Sequence, residues 1–290
     1  MSDLLQFVLS GLSRGSIYGM VGIGFALIFR SSHAINFAQG EFVMIGGMGT
    51  VFFLSAGLPL PLAAAAAILV AAAVGYLLQT GAIARARNAS VLSIIIITIG
   101  AGMFIRGLAE VILGRNFHSY SSFSGEAPIS IFGARVPSQA LWVFVALFAV
   151  SLAVHLFFRY AKLGKAVEAV FSNRKGAETI GINVGRILAL CFVIAAAIGA
   201  IGGVVMTPIT LTHFELGVPL ALKGFAAAIV GGLTSPFGAI IGGLILGLVE
   251  ALAGGYISTT YQEVVAFVII VGTLLIRPQG LFVSNAVERV

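Results

Sequence analysis

The sequence predicts an all-α integral membrane protein, and two observations lead to this fold class. Of its 290 residues, 59% are hydrophobic and only 9% are charged, against about 25% charged residues in an ordinary soluble domain. A soluble domain of this length has too small a core to bury so many apolar side chains, whereas a bilayer solvates them. The second observation is that the apolar residues fall into runs as long as membrane-spanning helices.

Nine apolar runs of helix length follow one another along the chain. One crossing takes about 20 residues, so the sequence predicts about eight or nine transmembrane helices in a single transmembrane domain over residues 1–290. The run at 217–231 is short for a full crossing, and we expect it to be tilted, broken or re-entrant. The runs lie near residues 4–29, 34–55, 60–83, 91–113, 138–158, 186–207, 217–231, 236–254 and 260–276.

Basic residues predict the orientation of the chain. Segment 159–186 carries six Lys and Arg residues against two Glu, so the positive-inside rule makes it cytoplasmic. Counted from this segment, Arg30, Arg85, Arg87 and the C-terminal tail also fall on the cytoplasmic side. The N-terminus and segment 114–137, the longest outer loop, fall outside. The same rule accounts for the net charge of +6, so nucleic acid is not an expected partner.

Glycines recur at a spacing of four residues within several runs. In lipid, small residues on one helix face let two backbones approach closely. The pattern therefore predicts close helix packing. It occurs in Gly11, Gly15 and Gly19, in Gly199 and Gly203, in Gly238 and Gly242, and in Gly243 and Gly247.

The second apolar run opens with a polar cluster that contains Asn36, Gln39, Gly40 and Glu41. Polar groups at membrane depth are costly unless they face protein or water. A helix break near Gly40 would expose these groups toward a cavity, which predicts part of a translocation path or a gate. A polar helix start at the cytoplasmic surface also explains the cluster, since Arg30 precedes it closely. Both interpretations remain open from the sequence.

Other charged residues of the apolar runs are expected near the outer surface. Arg106 and Glu110 lie one helical turn apart, so we expect them to pair with each other on one helix face. Four further charged residues flank the last runs and are expected to face water or to receive a docking partner. They are Glu215, Lys223, Glu250 and Glu263.

The sequence carries no motif for chemistry of its own. The turn 231–238 is rich in glycine, but a phosphate-binding loop needs Lys and then Ser or Thr where Ala239 and Ile240 stand. The four histidines are scattered, Cys191 is the single cysteine, and Asp3 is the single aspartate. Neither ATP hydrolysis nor a metal site nor a bound cofactor is therefore expected in this chain, and a catalytic triad is not expected either.

Segment 159–186 is expected to contain two short helices. An amphipathic helix runs from Lys165 to Phe171, and Asn173 is placed to cap a second helix that extends to Ile180. A basic helical loop parallel to the membrane is a suitable platform for a cytoplasmic subunit. The alternatives are a solvated connector and a contact with lipid headgroups.

Three segments of the chain resemble the permease subunits of branched-chain amino-acid ABC importers of the LivH type. They are Ile35–Glu41 with Met44-Ile45-Gly46, the loop from Gly164 through Ala177 to Asn183, and the tail Arg277–Phe282. The resemblance extends over nearly the whole chain. It implies a bacterial inner-membrane complex with a second, paralogous permease, two cytoplasmic ATPases that bind ATP and Mg²⁺, and a periplasmic substrate-binding protein.

The resemblance also implies roles for residues. Lys165–Ile182 would be the coupling helix that seats in an ATPase and switches the cavity from outward to inward access. Branched-chain amino acids are the implied substrates, although related systems import urea, short amides or aromatic acids. Two other classes stay open from the residues alone, a secondary transporter and a passive channel for small polar solutes. The coupling residues are Lys165, Glu168, Ala169, Asn173, Arg174, Lys175, Gly176, Glu178 and Gly181.

Overall fold

The helices of the computed structural model follow the apolar runs of the sequence. The structure describes residues 2–86, 90–131 and 133–282, so Arg87 and the end of the C-terminal tail lie outside the described residues. Two short strands, β1 (Ile129–Ile131) and β2 (Ala134–Val136), form an antiparallel hairpin. The helices are α1 (Ser2–Ser32), α2 (Gln39–Ser55), α3 (Leu60–Leu77, continued by a π-helical segment Leu78–Ile83), α4 (Val91–Leu113), α5 (Gln139–Tyr160), α6 (Lys162–Ser172), α7 (Arg174–Thr179), α8 (Val184–Thr210), α9 (Gly217–Gly231), α10 (Pro236–Tyr256) and α11 (Gln262–Ile276).

Seven helical segments among the described residues are long and apolar enough to cross a membrane. They confirm the predicted all-α membrane fold. The two helices α2 and α9 are shorter, with 17 and 15 residues. A short α9 was expected from the run 217–231. Within the run 34–55 the helix begins only at Gln39.

The connection between α1 and α2 turns back into the helix bundle. His33 ends α1 with φ of +52°, a left-handed conformation that is uncommon for residues other than glycine. The Gln39 side-chain amide donates a hydrogen bond of 2.9 Å to the carbonyl of Ala195 on α8, and it lies beside Gly24 of α1. Along the helix axis, Gly24 lies about 12 Å from the end of α1. The helix α2 therefore begins inside the bundle and not at its surface.

The connection between α8 and α9 repeats this arrangement. Leu211 ends α8 with φ of +63°, and in the described part of the chain only Leu211 and His33 combine a positive φ with a side chain. Six residues after each of them a short helix begins, at Gly217 and at Gln39. Both short helices thus start from a chain reversal of the same length.

The packing of these helices is repeated as well. Gly46 of α2 is in contact with Ala200 of α8, and Gly224 of α9 is in contact with Gly22 of α1. The first helices of the two halves, α1 and α8, are antiparallel, because Met20 lies beside Gly202 while the end of α1 lies beside the beginning of α8. The helices α1–α4 and α8–α11 therefore form an inverted repeat.

Glycine faces hold α1 against α10. A Cβ atom on Gly11 would lie 2.8 Å from the carbonyl oxygen of Gly247, and one on Gly15 would lie 2.6 Å from that of Gly243. These distances leave room for a hydrogen atom only, so the two backbones are in direct contact. The predicted role of these glycines in close helix packing is confirmed.

The first part of segment 114–137 packs onto the C-terminal end of α8. Pro208 has no N–H to donate to the carbonyl of Val204 one turn earlier, and the Tyr120 hydroxyl donates to that carbonyl at 2.5 Å. Burial raises the pKa of the Tyr120 phenol, so it keeps its proton and stays a donor. His118 and Thr212 exchange backbone hydrogen bonds of 2.9 and 2.8 Å. The segment is thereby attached to the connection between α8 and α9.

Candidate functional site

The polar cluster that precedes α2 lies in the interior of the bundle. The residues Asn36, Gln39 and Glu41 are at most 3% exposed. The Asn36 side-chain oxygen accepts a hydrogen bond of 3.1 Å from the Ala38 N–H, which shapes the turn into α2. All three side chains are buried, and that of Gln39 lies beside Gly24 in the interior of α1, so a polar helix start exposed at the surface does not describe them. Their role in a path or gate stays a prediction.

The first residues of α2 and α9 meet inside the bundle. A Cβ atom on Gly40 would overlap the carbonyl group of Gly217, so a side chain does not fit at this contact. The Glu41 carboxylate lies against Gly217 as well. It thus stands in the first turn of α2 and beside the first residue of α9, where unbonded N–H groups favour a negative charge.

Arg106 of α4 supplies Glu41 with a cation, with 3.5 Å between Nε and the Glu41 Oε1. The predicted pair of Arg106 with Glu110 is therefore wrong. Glu110 pairs instead with Arg115 of the outer segment, at 2.5 Å. The reason is burial, since the Glu41 side chain is 3% exposed and that of Glu110 is 28% exposed. A carboxylate without water needs a cation more than one that is partly hydrated.

Three polar atoms of the cluster have no hydrogen-bond partner among the described residues. They are the Asn36 Nδ2, the Gln39 Oε1 and the Glu41 Oε2. Buried polar atoms in proteins are nearly always hydrogen-bonded. These atoms are therefore suited to bind water or a polar solute where α2 and α9 meet.

A second buried ion pair joins α9, α10 and α1. The Lys223 Nζ lies 2.7 Å from the Glu250 Oε1, and the Tyr18 hydroxyl donates to the Glu250 Oε2 at 2.8 Å. Glu250 is buried, so the expectation that it faces water is wrong, whereas Lys223 is partly exposed. Glu215 is exposed as expected, and the Glu263 side chain lies outside the described part.

The helices of segment 159–186 form where the sequence predicts them. The Asn173 side chain accepts a hydrogen bond of 2.9 Å from the Gly176 N–H and caps α7. Beneath α6, the buried residues Val167 and Val170 pack against the beginning of α8. The segment is thus a folded part of the protein and not a loose connector.

Most of the predicted coupling residues are accessible on this surface. Two apolar side chains that sequence reasoning missed also project from it, since Leu163 is 53% and Ile180 is 75% exposed. Ala169 and Gly176 are partly buried. The exposed predicted residues are Lys165, Glu168, Asn173, Arg174, Lys175, Glu178 and Gly181.

The end of α1 connects α6 with the polar cluster. The Arg30 guanidinium lies 5.0 Å from the ring centroid of Phe158 and 5.1 Å from that of Phe171 on α6. It is also 3.7 Å from the Glu168 carboxylate. The His33 ring stacks on Phe171 with 5.5 Å between centroids. Because His33 begins the connection to α2, the two candidate sites are in continuous contact.

Residues 7–274 match the family described as branched-chain amino acid transport system / permease component. The chain belongs to this family. Its members are permease components of ABC transporters, so the chain is a multi-pass membrane transport subunit and not an enzyme, and it works with ATPase partners.

Individual relatives agree with the family. The permease is 33% identical over 300 residues to the high-affinity branched-chain amino acid transport system permease protein LivH of Escherichia coli K12, covering 99% of this chain and 97% of the relative. It is 32% identical to BraD of Pseudomonas aeruginosa, covering 99% and 98%. The solved structure of PsaBC from Streptococcus pneumoniae in complex with Fab shares the fold at a TM-score of 0.52 and 15% identity, covering 96% of this chain and 93% of that one.

Proposed function

We propose that the chain is a permease subunit of an ATP-driven importer for branched-chain or related amino acids in the bacterial inner membrane. The observation that carries the proposal is the near full-length similarity to LivH and BraD, which are named for branched-chain amino acid transport. In this proposal residues 1–290 form one transmembrane permease domain. The chain holds no cofactor, and ATP and Mg²⁺ bind to the partner ATPases.

The complete importer contains three further kinds of subunit in this proposal. A second, paralogous permease packs beside this chain in the membrane, and two ATPases bind at the cytoplasmic side. A periplasmic substrate-binding protein delivers the amino acid. The division of labour is supported by the sequence, since residues 1–290 show no phosphate-binding motif and the loop 114–137 is too short to fold as a capture domain.

The surface of α6 and α7 is the docking site for an ATPase. Its support is the combination of exposed apolar and exposed basic side chains, which suits a protein partner better than lipid or water alone. Leu163 and Ile180 are the apolar anchors, and Lys165 and Lys175 lie exposed on the same helices. Apolar anchors surrounded by polar side chains are typical of protein interfaces.

The meeting point of α2 and α9 is the gate of the translocation path. Two short helices that begin inside a bundle, with buried polar side chains at their first residues, are typical of transporter sites. In this proposal Asn36, Gln39, Gly40 and Glu41 separate the two sides of the membrane. Movement of α6 reaches them through Arg30 and the connection after His33.

Replacing Ile180 by glutamate is expected to weaken ATPase binding by about tenfold or more, as the loss of an interface anchor does. Ile180 is 75% exposed, so the change leaves the core of the permease intact. Co-purification of the ATPases with the tagged permease measures the effect, and Ile180→Val serves as the matched control. Normal ATPase recovery with Ile180→Glu would contradict the docking site.

Transport by the isolated chain separates the proposal from its two rivals. The purified permease in liposomes is expected to move no leucine without its partner subunits. Uphill uptake driven by a proton or sodium gradient would identify a secondary transporter, and downhill flux insensitive to ATP would identify a channel.

A further inference from the structure

We propose that Lys223 receives the carboxylate of the transported amino acid, while the apolar groove between α9 and α11 receives its side chain. The inference rests on the proposed function and names a binding site within it. Lys223 lies on one wall of the groove, which has a volume of about 220 Å³. The other lining residues include Val218, Pro219, Leu222, Ala226, Ala266 and Phe267.

The position of Lys223 makes a lipid-facing role unfavourable. Gly217 is the residue of α9 that meets α2 inside the bundle. Lys223 lies about 9 Å from Gly217 along the axis of α9. Its side chain is 24% exposed, whereas that of Glu250 is 2% exposed. A charged group at this depth is stable only against protein or water. The face that presents Lys223 is therefore covered by the partner permease or by a hydrated path.

The ammonium group is held in place and keeps capacity for a ligand. Glu250 and the Tyr18 hydroxyl lie 2.7 and 3.3 Å from its nitrogen. An ammonium has three N–H donors, and among the described residues only the Tyr18 hydroxyl accepts a hydrogen bond from it, so donor capacity remains for a ligand. A fixed cation with a remaining donor is suited to a carboxylate.

The rest of the groove selects an apolar side chain. Pro219 and Leu222 of α9 face Phe267 and Ile270 of α11 across it, and Lys223 is the single charged residue among its described lining residues. A site with apolar walls and one convergent charge is typical of small-molecule pockets. An aliphatic amino acid fulfils both requirements, since its carboxylate and its side chain leave the same carbon atom.

A purely structural ion pair would make a different prediction. Neutralising both partners of a buried pair often leaves stability unchanged, whereas removing one partner leaves an unpaired charge. The double variant Lys223→Met with Glu250→Gln therefore preserves the fold but removes the cation. A structural pair predicts normal transport by this variant, and a carboxylate site predicts its loss.

The test uses the complete importer in proteoliposomes with leucine as the probe. We expect the double variant to assemble and to retain ATPase stimulation by the loaded binding protein. Leucine uptake is expected to fall about tenfold or more, because the substrate carboxylate then lacks the polar partner for which the site is built. The single variant Lys223→Arg keeps the charge and is expected to retain most uptake. Arg115→Met is the control, because it also removes a cation but does so at an exposed position in segment 114–137.

A second variant keeps the test decisive if the double variant fails to assemble. Leu222→Trp fills the groove without touching the ion pair, since Leu222 is 47% exposed. Assembly with loss of leucine uptake supports the site. Normal uptake by either the double variant or Leu222→Trp overturns it and leaves the proposed function intact. If the wild-type importer takes up no leucine or other branched-chain amino acid, the proposed function itself fails.

Discussion

Replacing Gly40 by alanine is expected to abolish leucine import and to destabilise the permease. The added methyl group would overlap the carbonyl group of Gly217 and approach the side chain of Ala221. Overpacking a well-filled site costs about 1–3 kcal/mol, and here the obstacle is backbone, which cannot change rotamer. The first turns of α2 and α9 must therefore separate, and this separation opens the contact that we propose as the gate.

Gly100→Ala is the matched control for this substitution, because the space beside Gly100 on α4 is open. Alanine in a helix is otherwise more favourable than glycine, so the control is expected to keep the wild-type thermal midpoint or to raise it. Thermal unfolding of the purified permease in detergent and leucine uptake by the importer measure both variants. An unchanged midpoint and unchanged uptake for Gly40→Ala would show that the two helices do not need backbone contact.

Replacing Phe171 by alanine is expected to uncouple ATP hydrolysis from transport. Phe171 on α6 contacts both Arg30 and His33, so its ring joins the proposed docking helix to the end of α1. Without the ring, movement of α6 is no longer passed to the connection that leads into α2. We expect leucine uptake per ATP hydrolysed to fall about tenfold, within the usual range of coupling between sites.

Two controls make the second experiment specific. Tyr160→Ala removes another aromatic ring at the same end of the protein. Tyr160 is 66% exposed, so this variant is expected to leave the coupling of ATP hydrolysis to transport unchanged. Co-purification of the ATPases with Phe171→Ala is expected to stay normal, which distinguishes lost transmission from lost docking. Wild-type uptake per ATP in Phe171→Ala would place the transmission of movement elsewhere.

Features that depend on neighbouring residues could be predicted from the sequence. The apolar runs predicted the long helices, because the composition of an apolar run is enough to make it a stable helix in a membrane. Asn173 was predicted as a cap because its side chain bonds an N–H three residues further on. The glycines of α1 were predicted as a packing face because helical spacing fixes which residues share a face.

Features that depend on distant residues were missed or predicted wrongly. Glu110 was the nearest partner of Arg106 in sequence, but the buried carboxylate of Glu41 pairs with Arg106 in the fold. The pair of Lys223 and Glu250 requires α9 and α10 to be packed together. Composition did not show that α2 starts inside the bundle, because an apolar run of 22 residues looks the same whether or not its first turn is helical.

The inverted repeat was also invisible in the sequence. Equivalent positions carry unrelated side chains, such as Asn36 and Phe214, or His33 and Leu211. What the two halves share is backbone geometry, the reversal with positive φ and the short helix that follows it. A bilayer restrains the backbone of both halves in the same way, while the side chains are free to diverge.

Because the inverted repeat relates the reversals at His33 and Leu211, the gate that we propose has a matching connection on each of its two sides. In that proposal, a shape that one connection adopts in one transport state is available to the other connection in the opposite state. The backbone alone then favours neither direction of travel. Asn36, Gln39 and Glu41 have no polar counterpart at the equivalent positions Phe214, Gly217 and Pro219, and this difference makes the two sides of the proposed gate unequal.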